Sequence, residues 1–462
     1  MNANRLAGKR VLIWGAARSG LAAVSLVQPL AAKIALADDS PREDIVARIP
    51  KALQSIALFA GADSVSHSVG DWDLVIISPG VPADHPQIVA AKRAGVPVLS
   101  ELEVGSWFIQ GRLVAITGTN GKTTTATLAA HLLGGEARGT YLAGNVGQAL
   151  CEVMQRAGAQ NRSATIVAEV SSFQCEHLDS FHPQIAVVLN LRPDHLDRHG
   201  DLATYRACKA AMGKNLTDDD LVIVNGDDDE ALNVVAGWRG HRWSVSLDSR
   251  AETGVHFDGE AVTLTEGGEQ EVLFRSADLV LPGRHNLANA MTAAAIARRC
   301  GVDPSDIASR CSTFRGVPHR IEWIATAGGV TYHNDSKSTN MDALATALTS
   351  FPQVVLIAGG RSKGEDLAPI TKIICRHVRA LVLLGETAEA LERAWGKAVS
   401  ITEQATDIAD AVKRAHRLAQ PGDCVLLSPG HPSFDMFRNF EDRGDQFRAA
   451  VLALLGPQEV HA

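Results

Sequence analysis

Short runs of consecutive apolar residues recur along the chain, separated by helix-like stretches. In the first hundred or so residues these are Val11-Leu12-Ile13-Trp14, Lys33-Ile34-Ala35-Leu36, Leu74-Val75-Ile76-Ile77 and Val96-Pro97-Val98-Leu99. Apolar runs without polar alternation, ending in Gly or Asp, predict parallel strands buried on both faces. A second unit opens at Leu113-Val114-Ala115-Ile116, followed at once by GTNGKTTT and an Ala/Leu-rich stretch. That order predicts strand, phosphate loop and helix. Further strands are expected at Thr165 to Val170, Ile185 to Leu189 and Leu221 to Val224. A glycine-punctuated, alternating stretch from about 242 to 282 then predicts antiparallel pairing. The parallel rhythm returns at Val354 to Ala358, Leu381 to Leu384 and Cys424 to Leu427. The reading is an α/β protein of three domains, residues 1–100, 101–316 and 317–462, and a length of 462 residues accommodates three cores.

Composition narrows the partners. Aromatic residues make up only 5% of the chain and the formal net charge is −8, which argues against a broad nucleic-acid face and leaves small anions as the expected ligands. Seven cysteines without a Cys-x-x-Cys pair point to reduced thiols in a cytoplasmic protein and indicate no zinc site. The apolar run near the N-terminus is broken by Gly15, Arg18 and Ser19, and no apolar stretch is long enough to span a bilayer, so no membrane partner is expected.

The strongest chemical signal is Gly118-Thr119-Asn120-Gly121-Lys122-Thr123-Thr124. A glycine loop between strand and helix turns backbone N–H groups inward at a helix N-terminus and cradles phosphates. Lys122 can reach the β/γ-phosphates and Thr123 can offer its hydroxyl to Mg²⁺. Ile116 stands where the full P-loop pattern has its first glycine, so this is a variant form. Glu169 ends one apolar run, and Asp194, His195 and Asp197 follow another, offering hard-cation ligands beside that loop. Near the N-terminus, Gly15-Ala16-Ala17-Arg18-Ser19-Gly20 follows a strand, with Ala17 in place of the glycine that lets backbone approach a pyrophosphate. Asp38 or Asp39, ending the next strand, fits either a ribose hydroxyl of NAD or a uridine nucleotide.

GTNGKTT, EVSSFQ, LNLRPDHLDRH, YRACK, GRHNLANA, GVPHRIE and NDSKSTN stand in this order, and with them the chain resembles the Mur ligases of peptidoglycan synthesis over nearly its whole length. The resemblance implies a Rossmann-like N-terminal domain for a uridine nucleotide, a central P-loop ATPase domain with a mostly parallel sheet and a small antiparallel part, and a Rossmann-like C-terminal domain for an incoming amino acid. It implies an ATP-dependent amide ligase, a cytoplasmic monomer, that adds D-glutamate to UDP-N-acetylmuramoyl-L-alanine through an acyl phosphate. Carried over by motif, Thr119, Asn120, Gly121, Lys122, Thr123, Thr124 and Thr125 would serve ATP, with Asn286 and Asn289 near the adenine and Arg320 and Asp335 as further nucleotide contacts. Two Mg²⁺ sites are implied, drawing on Thr123, Glu169, His195 and Lys209, the last matching a lysine that the family carbamylates. Lys122, His195 and Lys209 would be the catalytic set, and His319 would shape a hinge. The UDP-substrate would meet Ala17, Arg18, Ser19, Asp38, Ser78, Gly80, Asn145 and Gln174. D-Glutamate would meet Lys337, Thr339, Lys363, Ser433 and Phe440. Ser40, where relatives carry a basic residue, and Gly430-His431-Pro432 depart from the expected pattern, and the Asp-Asn-Pro-Arg signature of the diaminopimelate-adding relatives is absent.

Two other classes fit parts of the sequence. A folylpolyglutamate-type ligase shares ATPase motifs but lacks the N-terminal nucleotide domain. An NAD-dependent redox protein would rest on the Gly15 loop and leave Lys122, Glu169 and Lys209 without roles.

Overall fold

Val11 and Ile13 enter one apolar core while Leu12 and Trp14 enter another, which explains why the first run shows no polar alternation. The structure, a computed structural model, describes residues 2–65, 69–156, 158–250, 252–362 and 364–456. The first sheet contains β1 (Arg10–Trp14), β2 (Lys33–Asp38), β3 (Ala57–Ala60), β4 (Leu74–Ile77) and β5 (Val98–Ser100). All pair in parallel in the order β3-β2-β1-β4-β5. The chain winds outward in both directions from β1, so a crevice opens beyond the C-terminal ends of β1 and β4.

The second sheet contains β6 (Arg112–Thr117), β7 (Thr140–Gly144), β8 (Thr165–Glu169), β9 (Ile185–Val188), β10 (Leu221–Asn225), β11 (His241–Ser246), β12 (Gly254–Phe257), β13 (Ala261–Glu266) and β14 (Glu269–Arg275). Their order is β14-β13-β12-β11-β10-β9-β6-β8-β7. The expected antiparallel stretch is shorter than its alternation suggested: β11 runs parallel to β10 and β12 parallel to β11, and antiparallel pairing begins only between β12 and β13. Alternation reports one-sided burial, not strand direction.

The third sheet is built from β15 (Glu322–Ala327), β16 (Val330–Asn334), β17 (Val354–Ala358), β18 (Val378–Leu383), β19 (Ile401–Gln404) and β20 (Cys424–Leu427). Its order is β15-β16-β20-β17-β18-β19, parallel except for the β15–β16 hairpin at one edge. The chain forms two compact units: residues 1–279 with 288–312, holding the first two sheets, and residues 280–287 with 313–462, holding the third. All seven cysteines are free thiols. No helix of the described residues is long and apolar enough to cross a membrane.

After β5 the helix Glu101–Ser106 buries two carboxylates. Glu103 is saturated by the N–H groups of Asp179, Ser180 and Phe181 and by the Trp107 indole. Glu101 accepts one N–H, from Cys151 at 2.5 Å, and its Oε2 has no partner. Burial raises its pKa to about 7. The folded protein therefore holds a proton on Glu101 between the ordinary carboxylate range and pH 7, and the stability this brings is lost as pH rises through 7. Glu101→Gln should accordingly stabilise the protein by roughly 3 kcal/mol at pH 8 and by little at pH 5. Thermal melts of both proteins at the two pH values check this; an equal difference at both would contradict it.

Candidate functional site

The site begins where β6 ends. Gly118 and Gly121 have φ of 151° and 83°, and a Cβ at Gly121 would lie 2.4 Å from Oδ1 of Asn289, so glycine is needed on both counts. The helix Lys122–Leu132 follows directly. β6 lies between β8 and β9, and this places the ends of both neighbours beside the loop. Glu169, at the end of β8, pairs in register with Ile116. Asn190, just after β9, accepts on Oδ1 from the N–H groups of Thr119 (3.1 Å) and Asn120 (2.8 Å) and donates from Nδ2 to the Asn120 carbonyl. Asn190 thus fixes the loop, a role the sequence reading missed.

Lys122 Nζ donates to the carbonyls of Gly118 (2.9 Å) and Thr119 (2.8 Å), folding its charge over the loop. The Thr123 hydroxyl donates to Glu169 Oε2 and the Asn145 amide to Glu169 Oε1, each at 2.8 Å, and the carboxylate is 1% exposed. Thr124 is half-buried on the same helix, and Thr125 donates to Asn289 Oδ1 at 3.2 Å. Asn286, one helical turn before Asn289, donates to the Pro282 carbonyl.

Lys209 reaches the loop from the helix Leu202–Ala210, whose N-terminus is capped by Asp201. It is 1% exposed, and its Nζ donates to the Gly118 carbonyl (3.0 Å) and the Thr117 hydroxyl (3.3 Å), neither of them charged. Burial first, then the nearby Lys122 charge, lowers its pKa to about 7. His195 lies on a turn with φ of 53°. Its ring packs on Phe173 and lies 3.5 Å from Asp194. The turn is tied to the glycine loop because the Thr119 hydroxyl accepts from the Arg192 N–H and donates to its carbonyl. Among the described residues no hydrogen bond or ion pair joins His195 to Glu169 or Lys209. The Asp197 side chain lies outside the described residues.

Glu176, His199 and Cys208, which the sequence reading did not single out, also cluster, with one ligand atom from each within 4.8 Å of the others. The Arg198 guanidinium already occupies both oxygens of Glu176, at 3.1 and 2.7 Å, and competes there with any cation. The same guanidinium donates to the Pro79 and Val81 carbonyls, holding the turn after β4 against the second sheet.

A cavity of about 590 Å³ occupies the crevice beyond β1 and β4. Ala17, Arg18, Ser19, Asp38, Ser78 and Gly80 line it from the first sheet's side, with Asn145 and Gln174 from the second's. Ala17 provides no side-chain cap for the helix Arg18–Val27, so the first-turn amides are available to an anion. A Cβ at Gly20 would lie 1.8 Å from the Gly15 carbonyl oxygen, and one at Gly15 would lie 2.7 Å from the Ser78 Cβ. Both glycines serve close packing of helix on strands. Asp38 accepts from the backbone N–H groups of Ala16 (2.6 Å) and Ser40 (2.8 Å). Burial pushes its pKa up, but these bonds outweigh it and the net shift is down. Asp39 is held by the Ser64 hydroxyl and by His85. Asn145 belongs both to the cavity wall and to the Glu169 hydrogen-bond set.

In the second unit, Asp335 follows β16 and accepts from the Ser428 hydroxyl and the Ile321 N–H; burial raises its pKa to about 7. Arg320 is half-buried and sits between His319 and Ile321, whose φ values of 63° and 48° are left-handed. His319 is buried against Asn334. Lys337 Nζ lies 3.8 Å from the centroid of the Phe440 ring. Thr339 is half-buried and Ser433 is 2% exposed. Lys363 lies outside the described residues. In the departing segment, Gly430 donates to the Ser338 carbonyl and His431 is buried 3.6 Å from Glu365. Arg443, unremarked in the sequence, is buried among these loops.

Comparison with known proteins gives the same order of domains. Residues 9–100 match the Mur ligase MurD-like N-terminal domain, 116–297 the Mur ligase middle domain, and 319–431 the Mur ligase glutamate ligase domain. UDP-N-acetylmuramoylalanine–D-glutamate ligase of Pelotomaculum thermopropionicum is 40% identical over 455 residues, covering 96% of this chain and 98% of that protein. The ligase of the same name from Salinibacter ruber is 39% identical over 461 residues, with coverage of 96% and 98%. The solved structure of MurF ligase from Thermotoga maritima in complex with ADP shares the fold, with a TM-score of 0.59 at 15% identity over 98% of this chain and 97% of that one. On these matches, the chain belongs to the Mur ligase family.

Proposed function

We propose that this protein joins D-glutamate to the L-alanyl carboxylate of UDP-N-acetylmuramoyl-L-alanine, with ATP converted to ADP and phosphate. The observation that carries the reading is the junction at Glu169, whose carboxylate accepts from Asn145 of the cavity wall and from Thr123 of the glycine loop, each at 2.8 Å, and so joins a nucleotide-sized cavity to that loop. The names of relatives at 35–40% identity over nearly the full length support the choice of substrates.

A carboxylate does not react with an amine because its leaving group would be oxide. One of its oxygens attacks the γ-phosphorus of ATP, ADP departs, and an acyl phosphate results. The neutral amine of D-glutamate adds to the acyl carbon, and the tetrahedral intermediate expels phosphate. The loop amides and Lys122 hold the phosphates and offset the charge on the transferring group. Thr123 and Glu169 form an oxygen donor set that fits Mg²⁺, and Lys209 and His195 are assigned to a second Mg²⁺; bound there, the metal neutralises phosphoryl charge. Lys209 fits a carbamate because burial leaves much of its amine neutral and able to add to CO₂. The cavity amides and Arg18 take the diphosphate of the UDP-substrate. Asn286, Asn289, Arg320 and Asp335 take the nucleotide of ATP. Lys337, Thr339, Lys363, Ser433 and Phe440 take D-glutamate, in a domain division at residues 100 and 316.

Phosphate release measured with this acceptor and a panel of amino acids tests the reading. D-Glutamate should support turnover while L-glutamate, diaminopimelate and lysine should not; D-alanine should be rejected because a site built around a side-chain carboxylate is left with unpaired polar groups when that carboxylate is missing. Faster turnover with another amino acid would overturn the specificity.

A further inference from the structure

Among the described residues of the second unit, the most completely buried cation is not one of those assigned above. Arg443, on the helix Phe440–Leu455, is 1% exposed, yet its guanidinium makes no ion pair within the described residues. Its bonds go to the main chain and one hydroxyl: Nε donates to Ser336 Oγ (2.9 Å), one terminal nitrogen to the Ser336 carbonyl (2.9 Å), the other to the carbonyls of His431 (3.0 Å) and, at the limit of a hydrogen bond, Gly359 (3.5 Å). The negative groups in its field are Asp435 and Asp335. Burying a charge on neutral acceptors is costly unless several bonds converge on it, and these bonds converge from three separate loops.

Those loops carry the residues assigned to D-glutamate. Ser336 immediately precedes Lys337, with Thr339 three residues on. His431 lies two residues before Ser433. Gly359 leads into Gly360 and Arg361, just before Lys363. Phe440 stands one turn before Arg443 on the same helix, and its carbonyl accepts from the Ser336 hydroxyl at 2.8 Å. The guanidinium is admitted because position 360 has no side chain: a Cβ there would lie 3.3 Å from the Arg443 nitrogen and 2.2 Å from the Pro432 carbonyl oxygen. The Arg361 N–H donates to that same carbonyl at 2.9 Å, closing the ring of loops.

We propose that Arg443 is a positioning residue for the amino-acid pocket, fixing the relative placement of the loops bearing Lys337 and Ser433 and of the turn at Gly359 without touching the substrate itself. The proposal rests on the assignment of this pocket to D-glutamate. A planar fork with five donors can bridge three loops, whereas an ammonium on a flexible stem cannot, so lysine is no substitute. A binding constellation is productive only when its supporting groups are fixed to within a fraction of an ångström.

The test is steady-state kinetics of Arg443→Lys and Arg443→Ala, each substrate varied in turn, with folding followed by circular dichroism. The expected result is a rise in KM for D-glutamate of roughly ten- to a hundredfold in both variants. KM for the UDP-substrate should stay within about twofold, and KM for ATP should rise less than that for D-glutamate, since of the residues assigned to ATP only Asp335 adjoins a loop that Arg443 holds. Millimolar guanidinium chloride should partly restore the D-glutamate KM of Arg443→Ala by filling the vacated site, and should leave Arg443→Lys unchanged. A folded variant with an unaltered D-glutamate KM, an equal rise for all three substrates, or loss of folding in both variants would overturn the proposal, since the residue would then be dispensable or would hold the whole unit. The wild-type preference in the same assay reports separately on the pocket assignment, because failure there appears before any variant is made.

Discussion

Lys122→Ala loses ligase turnover by on the order of 10³-fold or more while keeping its fold. The side chain packs in no apolar core; its ammonium is half-buried and donates to the Gly118 and Thr119 carbonyls. Removing it leaves the loop geometry to Asn190 and the two glycines, so circular dichroism and the melting temperature should change little. On the proposed assignment, what disappears is the cation set against the negative charge spread over the oxygens of the transferring phosphoryl group and the leaving ADP. Phosphate release under saturating substrates is the measurement. A folded variant within tenfold of wild type would remove the phosphate-loop assignment.

The second large effect is expected at Lys209. Arrested as alanine, it should leave a nearly inactive enzyme, and acetate or another small carboxylate should recover part of the activity by supplying the missing oxygen donor. A simple loss of packing would not respond to acetate. The wild-type enzyme should incorporate one equivalent of ¹³C from labelled bicarbonate. An active enzyme with an unlabelled lysine would sink the carbamate, as would Lys209→Ala with undiminished turnover.

The parts of this fold visible in the sequence are those set by local rules. Leu74–Ile77, Ile185–Val188, Val354–Ala358 and Cys424–Leu427 are buried at every position, and their unbroken apolar runs announce them. Edge strands β3 and β19 are partly exposed and carry no such mark, and β7, at the other edge of its sheet, is a run of Thr-Tyr-Leu-Ala-Gly that reads as well as a turn. The direction of β11 and β12 depends on which strand they meet, which no local pattern records. The site divides in the same way. Gly121, Lys122 and Thr123 are legible because the loop needs them at fixed spacing. Asn190 and Arg198 fall within a quoted motif, yet they and Arg443 act on backbone carbonyls or amides distant in the chain, so their roles are not marked by local sequence. The burial of Lys209 also belongs to the fold: its helix is only weakly amphipathic as a string of letters, and the apposition to Thr117 and Gly118 is made by the sheet.

The central claim is that a substrate carboxylate is activated by phosphoryl transfer and then captured by an amine. It is tested most directly by running the reaction with UDP-N-acetylmuramoyl-L-alanine carrying ¹⁸O in the alanyl carboxylate, with ATP, Mg²⁺ and D-glutamate, and weighing both products. The account predicts the D-glutamyl amide together with inorganic phosphate bearing one ¹⁸O atom. Phosphate without label, or an unchanged UDP-substrate beside consumed ATP, would contradict it.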